Sequence, residues 1–555
     1  MKRSVTLLAI AATALLAVFA PAALAQPQGL LTHHVQPVVL NGQAPFVGKL
    51  PANQSMHIDI VLAVRDQAGL DRFLQDVYDQ TSASYHQYLT VEQFTQQFGP
   101  SQHDYDALVR FASANGLTMT GGSRDAMDVQ FKASVATIET AFHVSMGLYH
   151  DANANRDFYS TDREPTVDLP FQLWHITGLD NYSIPRRAVV TRPPGVKPPA
   201  TTGSCPSDSF CGSDMRAAYY EGKALTGKGQ NIGLLEFYGF DIADVNDYYK
   251  NAGQKRTAAV KGISTDGSPL TCLYTQGCDD TEQSIDITQA LGMAPGVTTV
   301  YLYVSNTSDS AMLSSMSSHK PLPLNLSSSW YWTPVDPTTD DPFFQKFAAQ
   351  GQSFFEAAGD GGKWGTGSMW PMESPLVICV GGTDLVTKGA GKGWASETVW
   401  DIGGGGISPD HFLIPSWQKL KGVITKANEG STKYRNGPDV TANANFTFYV
   451  CADQGHNPNF GGQECGANIY GGTSFAAPMW AGYLALANQQ AAAHKDKAPG
   501  FINPTIYPLG LSKGYATAFH DITVASNGFP ATKGYDLASG WGSPNTDGLI
   551  NALAK

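Results

Sequence analysis

Cysteine is missing from the first 204 residues of this 555-residue chain, and all seven cysteines fall between Cys205 and Cys465. The absence rules out a disulfide framework for the N-terminal third and sets that region apart from the rest. No C-x-x-C pair or neighbouring histidine pair occurs, which excludes an ordinary zinc site. Charge is also scarce: 15% of residues are charged, the formal net charge is −12, and no basic run is present. Nucleic acid and anionic membrane surfaces are therefore excluded as partners. Low charge density limits self-repulsion as pH changes, which suits acidic surroundings. Beyond the N-terminus no uninterrupted apolar stretch is long enough for a spanning helix, so the mature chain is expected to be soluble.

What is abundant is glycine, with 57 residues, alongside 42% hydrophobic residues. This composition reads as a loop-rich globular protein, and the length suggests roughly two to four domains. Met1-Lys2-Arg3, an apolar run from Leu7 to Ala20 and the closing Ala23-Leu24-Ala25 form a signal peptide over residues 1–25, with Gln26 as the new terminus. The chain is thus expected to be secreted, where near-neighbour cysteines make suitable loop staples: Cys205 with Cys211, Cys272 with Cys278, and Cys451 with Cys465. Cys379, within an apolar strand-like run, reads as an inert core thiol.

Residues 26–185 read as a separate α+β domain. Thr90-Val91-Glu92-Gln93 is a capping-box helix start, Met127, Val129 and Phe131 alternate as in a strand, and Val135, Ile138 and Phe142 recur at helical spacing. Residues 186–204, with Pro193-Pro194 and Pro198-Pro199, form a linker, either a plain spacer or a cleavable junction. From residue 205 to 555 short apolar strands alternate with helices. Asn231–Leu235, Thr299–Val304 and Leu376–Val380 stand out as strands of an α/β domain with a mostly parallel sheet.

Chemistry concentrates in three places of this domain. Gly471-Gly472-Thr473-Ser474 sets a serine where a long apolar helix begins, an arrangement that serves either an ordinary N-cap or a nucleophile beside helix N–H groups. Glu282 and Asp286 lie four apart on one helix face, as a solvated acidic face or as a coupled acid pair whose repulsion raises one pKa. Asp360, between glycines after an apolar strand, is either a turn residue or a strand-end group aimed at a site. None of His319, His411, His456, His494 and His520 sits in a setting suited to a catalytic base.

At these residues the chain resembles the sedolisin family, the serine-carboxyl peptidases, over nearly everything after the signal peptide. The resemblance rests on E-x-x-x-D at Glu282 and Asp286, G-D-G at Asp360 and G-T-S-x-x-A-P at Ser474, in the family's order. Further matches are Gly404-Gly405-Gly406-Ile407-Ser408, Pro415-Ser416-Trp417-Gln418, and Arg435 with Pro438-Asp439-Val440. The N-terminal domain resembles the family's activation prodomain through Tyr88 to Phe94 and Phe131 to Phe142. The resemblance implies a subtilisin-like catalytic domain preceded by a prodomain that inhibits it or aids its folding. Ser474 would attack the scissile carbonyl, Glu282 would accept its proton, Asp286 would hold and tune Glu282, and Asp360 would donate to the oxyanion. Glu236 and Trp330 match an extension of this network.

One structural calcium ion is implied as well, with Asp521 and Asp536 as side-chain ligands and the carbonyls of Ile522, Thr532 and Gly534 alongside. The expected function is a secreted, acid-acting endopeptidase on protein or peptide substrates, made as a self-processing precursor and acting as a monomer. A tripeptidyl-peptidase of the same family, a histidine-based serine protease and a non-catalytic binding protein on this fold are the alternatives.

Overall fold

The computed structural model describes residues 28–222 and 224–555; the signal peptide segment lies outside them. An eight-stranded sheet organises the larger domain: β1 (Asn231–Glu236), β2 (Ala259–Ser264), β3 (Thr299–Val304), β4 (Asn325–Ser328), β5 (Ser353–Ala357), β6 (Ile378–Thr387), β7 (Trp394–Val399) and β8 (Val440–Asn443). Their spatial order is β2-β3-β1-β4-β5-β6-β7, with β8 also paired to β6. Every pairing is parallel except that of β6 with β7.

The strands are apolar on both sides because helices cover both faces. Ile232 and Leu234 point into one core with helix α1 (Thr281–Met293) and helix α2 (Thr473–His494), while Leu235, Leu326 and Phe354 point into the other. That second core is closed by helices Asp309–Ser318 and Asp341–Ala349. Beside the first core, Arg435 and Asp439 form a fully buried ion pair at 2.5 Å, further bonded by Tyr507 and Asn503. Tyr507 and Asn503 meet the Asp439 acceptors, whereas Arg435 Nε is left without a partner.

The N-terminal domain has its own core around a four-stranded antiparallel sheet, Thr118–Ser123, Asp128–Ser134, Ser55–Leu62 and Leu173–Thr177. Thr90 and Gln93 form the capping box of helix Val91–Gln97, and Val135–Phe142 is a helix with Ile138 and Phe142 inward. This domain docks on the second face of the larger one. Ser314 Oγ donates to Asp128 at 2.9 Å, Trp174 Nε1 to the Thr339 carbonyl at 2.8 Å, and Tyr78 OH to the Ala348 carbonyl at 2.7 Å.

Three disulfides join Cys205 to Cys211, Cys272 to Cys278 and Cys451 to Cys465, and Cys379 is a buried free thiol. No helix among the described residues is long and apolar enough to cross a membrane.

Candidate active site

Ser474 is the second residue of α2 and is fully buried. Pro478, four residues on, has no N–H to give the Ser474 carbonyl, so that oxygen lacks its helical partner, and the Ser329 hydroxyl sits 3.5 Å from it. Ser329 follows β4 and also donates to Asp286 Oδ1 at 2.8 Å.

Glu282 and Asp286 lie one turn apart on α1, and the structure buries both completely rather than leaving a solvated acidic face. Burial raises Glu282 to about 8, against the opposing pull of the nearby Ser474 hydroxyl and the Arg187 charge. Neither Glu282 oxygen makes a well-formed hydrogen bond, so a proton can reach it without breaking one. Asp286 is pushed well up by burial and then by the charges of Glu236 and Glu282. Glu236, at the end of β1, is pushed up by burial and accepts from Trp330 Nε1 at 2.9 Å. Ser474, Glu282, Asp286, Glu236 and Trp330 thus form one buried chain, and its carboxyls titrate together with fewer charges than members.

Asp360 follows β5 and faces the same serine from the other side. Thr473 fixes one carboxyl oxygen twice, through its N–H at 2.8 Å and its hydroxyl at 3.0 Å, and the other oxygen has no partner. Burial holds Asp360 well above the usual carboxylate range, which favours its protonated form.

The segment after the N-terminal domain runs through this cleft. Arg186 and Arg187 pair antiparallel with Tyr331 and Trp330; Val190 and Thr191 pair with Gly471 and Tyr470. Between them the Ala188 carbonyl accepts from the Ser474 N–H at 3.1 Å and from the Ser474 hydroxyl. A peptide carbonyl held by the serine's own amide, beside a protonated carboxyl, is the arrangement an acyl transfer needs.

Residues 43–182 match the model of the Pro-kumamolisin activation domain. Kumamolisin of Bacillus sp. (strain MN-32) is 29% identical, over 92% of this chain and 94% of that protein. Sedolisin of Pseudomonas sp. (strain 101) is 25% identical, over 90% and 87%. Over most of its length the chain is similar to sedolisin-family serine-carboxyl peptidases. It is a serine-type peptidase preceded by an activation domain. Its fold matches the structure of "Pseudomonas sedolisin (serine-carboxyl proteinase) complexed with two molecules of pseudo-iodotyrostatin", with a TM-score of 0.51, 24% identity, and coverage of 64% of this chain and 99% of that one.

Several groups at the site carry no signal in the sequence. Ser329 sits in a run of three serines, Thr473 looks like part of the glycine turn, and Glu356 on β5 is a further buried carboxyl, raised by burial and then by the nearby Glu282. Each of the five late histidines that is buried or stacked has its ring against another partner: His319 on Tyr301, His411 on Tyr434, His456 on Tyr274 and His520 on Trp394. His494 lies at the exposed end of α2, beside Asp496.

Asp521 and Asp536 gather one loop. Asp521 accepts from Tyr515 OH at 2.9 Å and Gly534 N–H at 3.1 Å; Asp536 accepts from Thr532 N–H at 2.7 Å and from Ala538 and Ser539 N–H. Both carboxylates thus take up backbone N–H groups of the Thr532 to Gly534 loop. Among the described residues no cluster of three or more His, Cys, Asp or Glu side chains could hold a metal ion.

Proposed function

We propose that this peptidase is an exported, acid-acting endopeptidase that processes its own precursor. The observation that carries the reading is a continuous peptide segment whose Ala188 carbonyl meets both the N–H and the hydroxyl of Ser474. Ser474 Oγ attacks the carbonyl carbon, Glu282 accepts the hydroxyl proton, Asp286 holds and tunes Glu282, and Asp360 donates its carboxyl proton as a hydrogen bond to the oxyanion. Glu282 then returns the proton to the departing amine, and water releases the acyl group by the same steps. Glu282 acts as base in the form of the network in which Asp286 and Glu236 hold the protons, so its titration belongs to the coupled group and not to Glu282 alone.

Chain enters the cleft on one side of Ser474 and leaves on the other, both stretches paired with the enzyme's strands, which supports endopeptidase action over removal of terminal tripeptides. Export is supported by the signal-like N-terminus and the three disulfides. One structural calcium ion is assigned to Asp521, Asp536 and the carbonyls of Ile522, Thr532 and Gly534, where it would tie the C-terminal loop to the helical body.

Purified precursor brought to pH ~4, where carboxyls begin to protonate, is expected to be cut between Arg186 and Ser204. Ser474→Ala precursor is expected to stay whole. Equal processing of the two, followed by gel and mass spectrometry, rules self-cleavage out.

A further inference from the structure

The segment in the cleft is held in one register on both sides of Ser474. Upstream, the Ala188 N–H donates to the Ser329 carbonyl at 2.8 Å, and Arg187 lies opposite Trp330. Downstream, Val190 lies opposite Gly471. A slip of one residue would turn every side chain to the opposite face and break both pairings. Gly472 leaves the room this register needs, since a Cβ there would lie 2.4 Å from the Ala188 oxygen and 2.7 Å from Asp360 Oδ2.

One side chain in this stretch makes an ionic contact with the enzyme. Arg187 Nη2 reaches Asp279 Oδ2 at 2.7 Å, with both side chains about one-third exposed (34% and 39%). Asp279 is held ready by its own backbone, because its other oxygen accepts from the Thr281 N–H at 3.0 Å. It stands three residues before Glu282, just ahead of α1, so recognition and proton transfer share one rigid element. Tyr274, Asn457 and Tyr470 wall the surrounding cavity of about 520 Å³. The neighbouring position is permissive by contrast: Ala188 opens on a cavity of about 610 Å³ bordered by Tyr331, Trp364 and Met369, far larger than its methyl group.

We propose that the first self-cleavage breaks the Ala188–Val189 bond, and that Asp279 is a specificity-determining residue that selects an arginine one position before the residue whose carbonyl is attacked. The inference rests on the peptidase reading above. Atoms balance as in any serine acyl transfer. The Ser474 Oγ–Ala188 C bond forms as the Ala188 C–Val189 N bond breaks, the serine proton passes through Glu282 to the Val189 amine, and water frees the Ala188 carboxylate.

The test has two arms. In the first, precursor is acidified and the earliest fragments are sequenced; a new N-terminus at Val189 is expected, with slower cutting in Arg187→Met precursor. In the second, mature enzyme is offered internally quenched peptides that differ only in arginine or citrulline before an Ala-Val bond. Wild type is expected to favour arginine in kcat/KM by about fivefold, the scale of a partly exposed charge pair, and Asp279→Asn to bring the ratio near one. An earliest cut at another bond, or a ratio that Asp279→Asn leaves unchanged, overturns the proposal. A precursor that Ser474→Ala leaves fully processed overturns the self-processing reading instead, and the peptide ratio then still decides the role of Asp279.

Discussion

Asp360 illustrates how much a single buried proton can control. One of its oxygens is fully engaged by Thr473, so the other, unpartnered, is left to face the carbonyl held at Ser474. Removing the donor by Asp360→Ala is expected to lower kcat by about 10²–10³, the usual cost of an oxyanion donor. Asp360→Asn keeps an N–H donor that does not titrate, so it should lose less and carry activity to higher pH than wild type, read from kcat/KM against pH. Gly472→Ala tests the same spot by shape. Its methyl would collide with the Asp360 oxygen and the bound carbonyl, so cleavage should fall at least about 100-fold while the circular dichroism spectrum is unchanged.

Elements explain why some of this was readable in the sequence and some was not. The strands Asn231–Glu236 and Thr299–Val304 announce themselves by apolar, β-branched runs, and a sheet with both faces covered follows from them. Helix α1 is legible as a helix but its burial is not: Gln283, Ser284, Thr288 and Gln289 are buried beside Glu282 and Asp286, so no polar stripe marks an outer face. What buries them is α2 together with the Tyr238 and Cys451 segments, all distant in sequence, and local periodicity cannot register it. Ser329 and Asp279 escape for a similar reason, since each gains its meaning from a strand or a linker that only the fold brings near. The C-terminal loop is the converse case, because the calcium site proposed there has a consequence that can be measured. Chelation by EGTA is expected to lower the Tm of wild type, with recovery on added calcium, whereas Asp521→Asn should start from a lower Tm and respond little, as scanning calorimetry would show.

At the scale of the whole molecule, buried acids decide how the precursor answers pH. Besides the carboxyls around Ser474, the interface between the two domains holds Asp59 and Asp128 from the N-terminal sheet, facing Asp309 and Asp266, with the Ser314 hydroxyl and the Lys346 ammonium nearby. Burial pushes Asp59 well up, and the charges of Asp128, Asp309 and Asp266 add to it. A carboxyl whose pKa is raised on folding binds its proton more tightly in the folded state. Its stabilisation is complete below the unfolded value and is lost as pH rises toward the folded one. For Glu282 that window runs from 4.5 to about 8. Lys346, lowered by burial to about 7, stays protonated in both states below that pH and cannot mask the effect on the acid side. Ser474→Ala precursor, which cannot cut itself, is therefore expected to have its highest Tm near pH ~4.5 and to lose stability steadily toward pH ~7. Asp59→Asn in the same background removes an interface charge that would otherwise have to ionise, and should flatten that decline. A precursor whose Tm instead climbs over this range would show that these carboxyls are ionised and stabilised in the folded chain, reversing the sign of the argument.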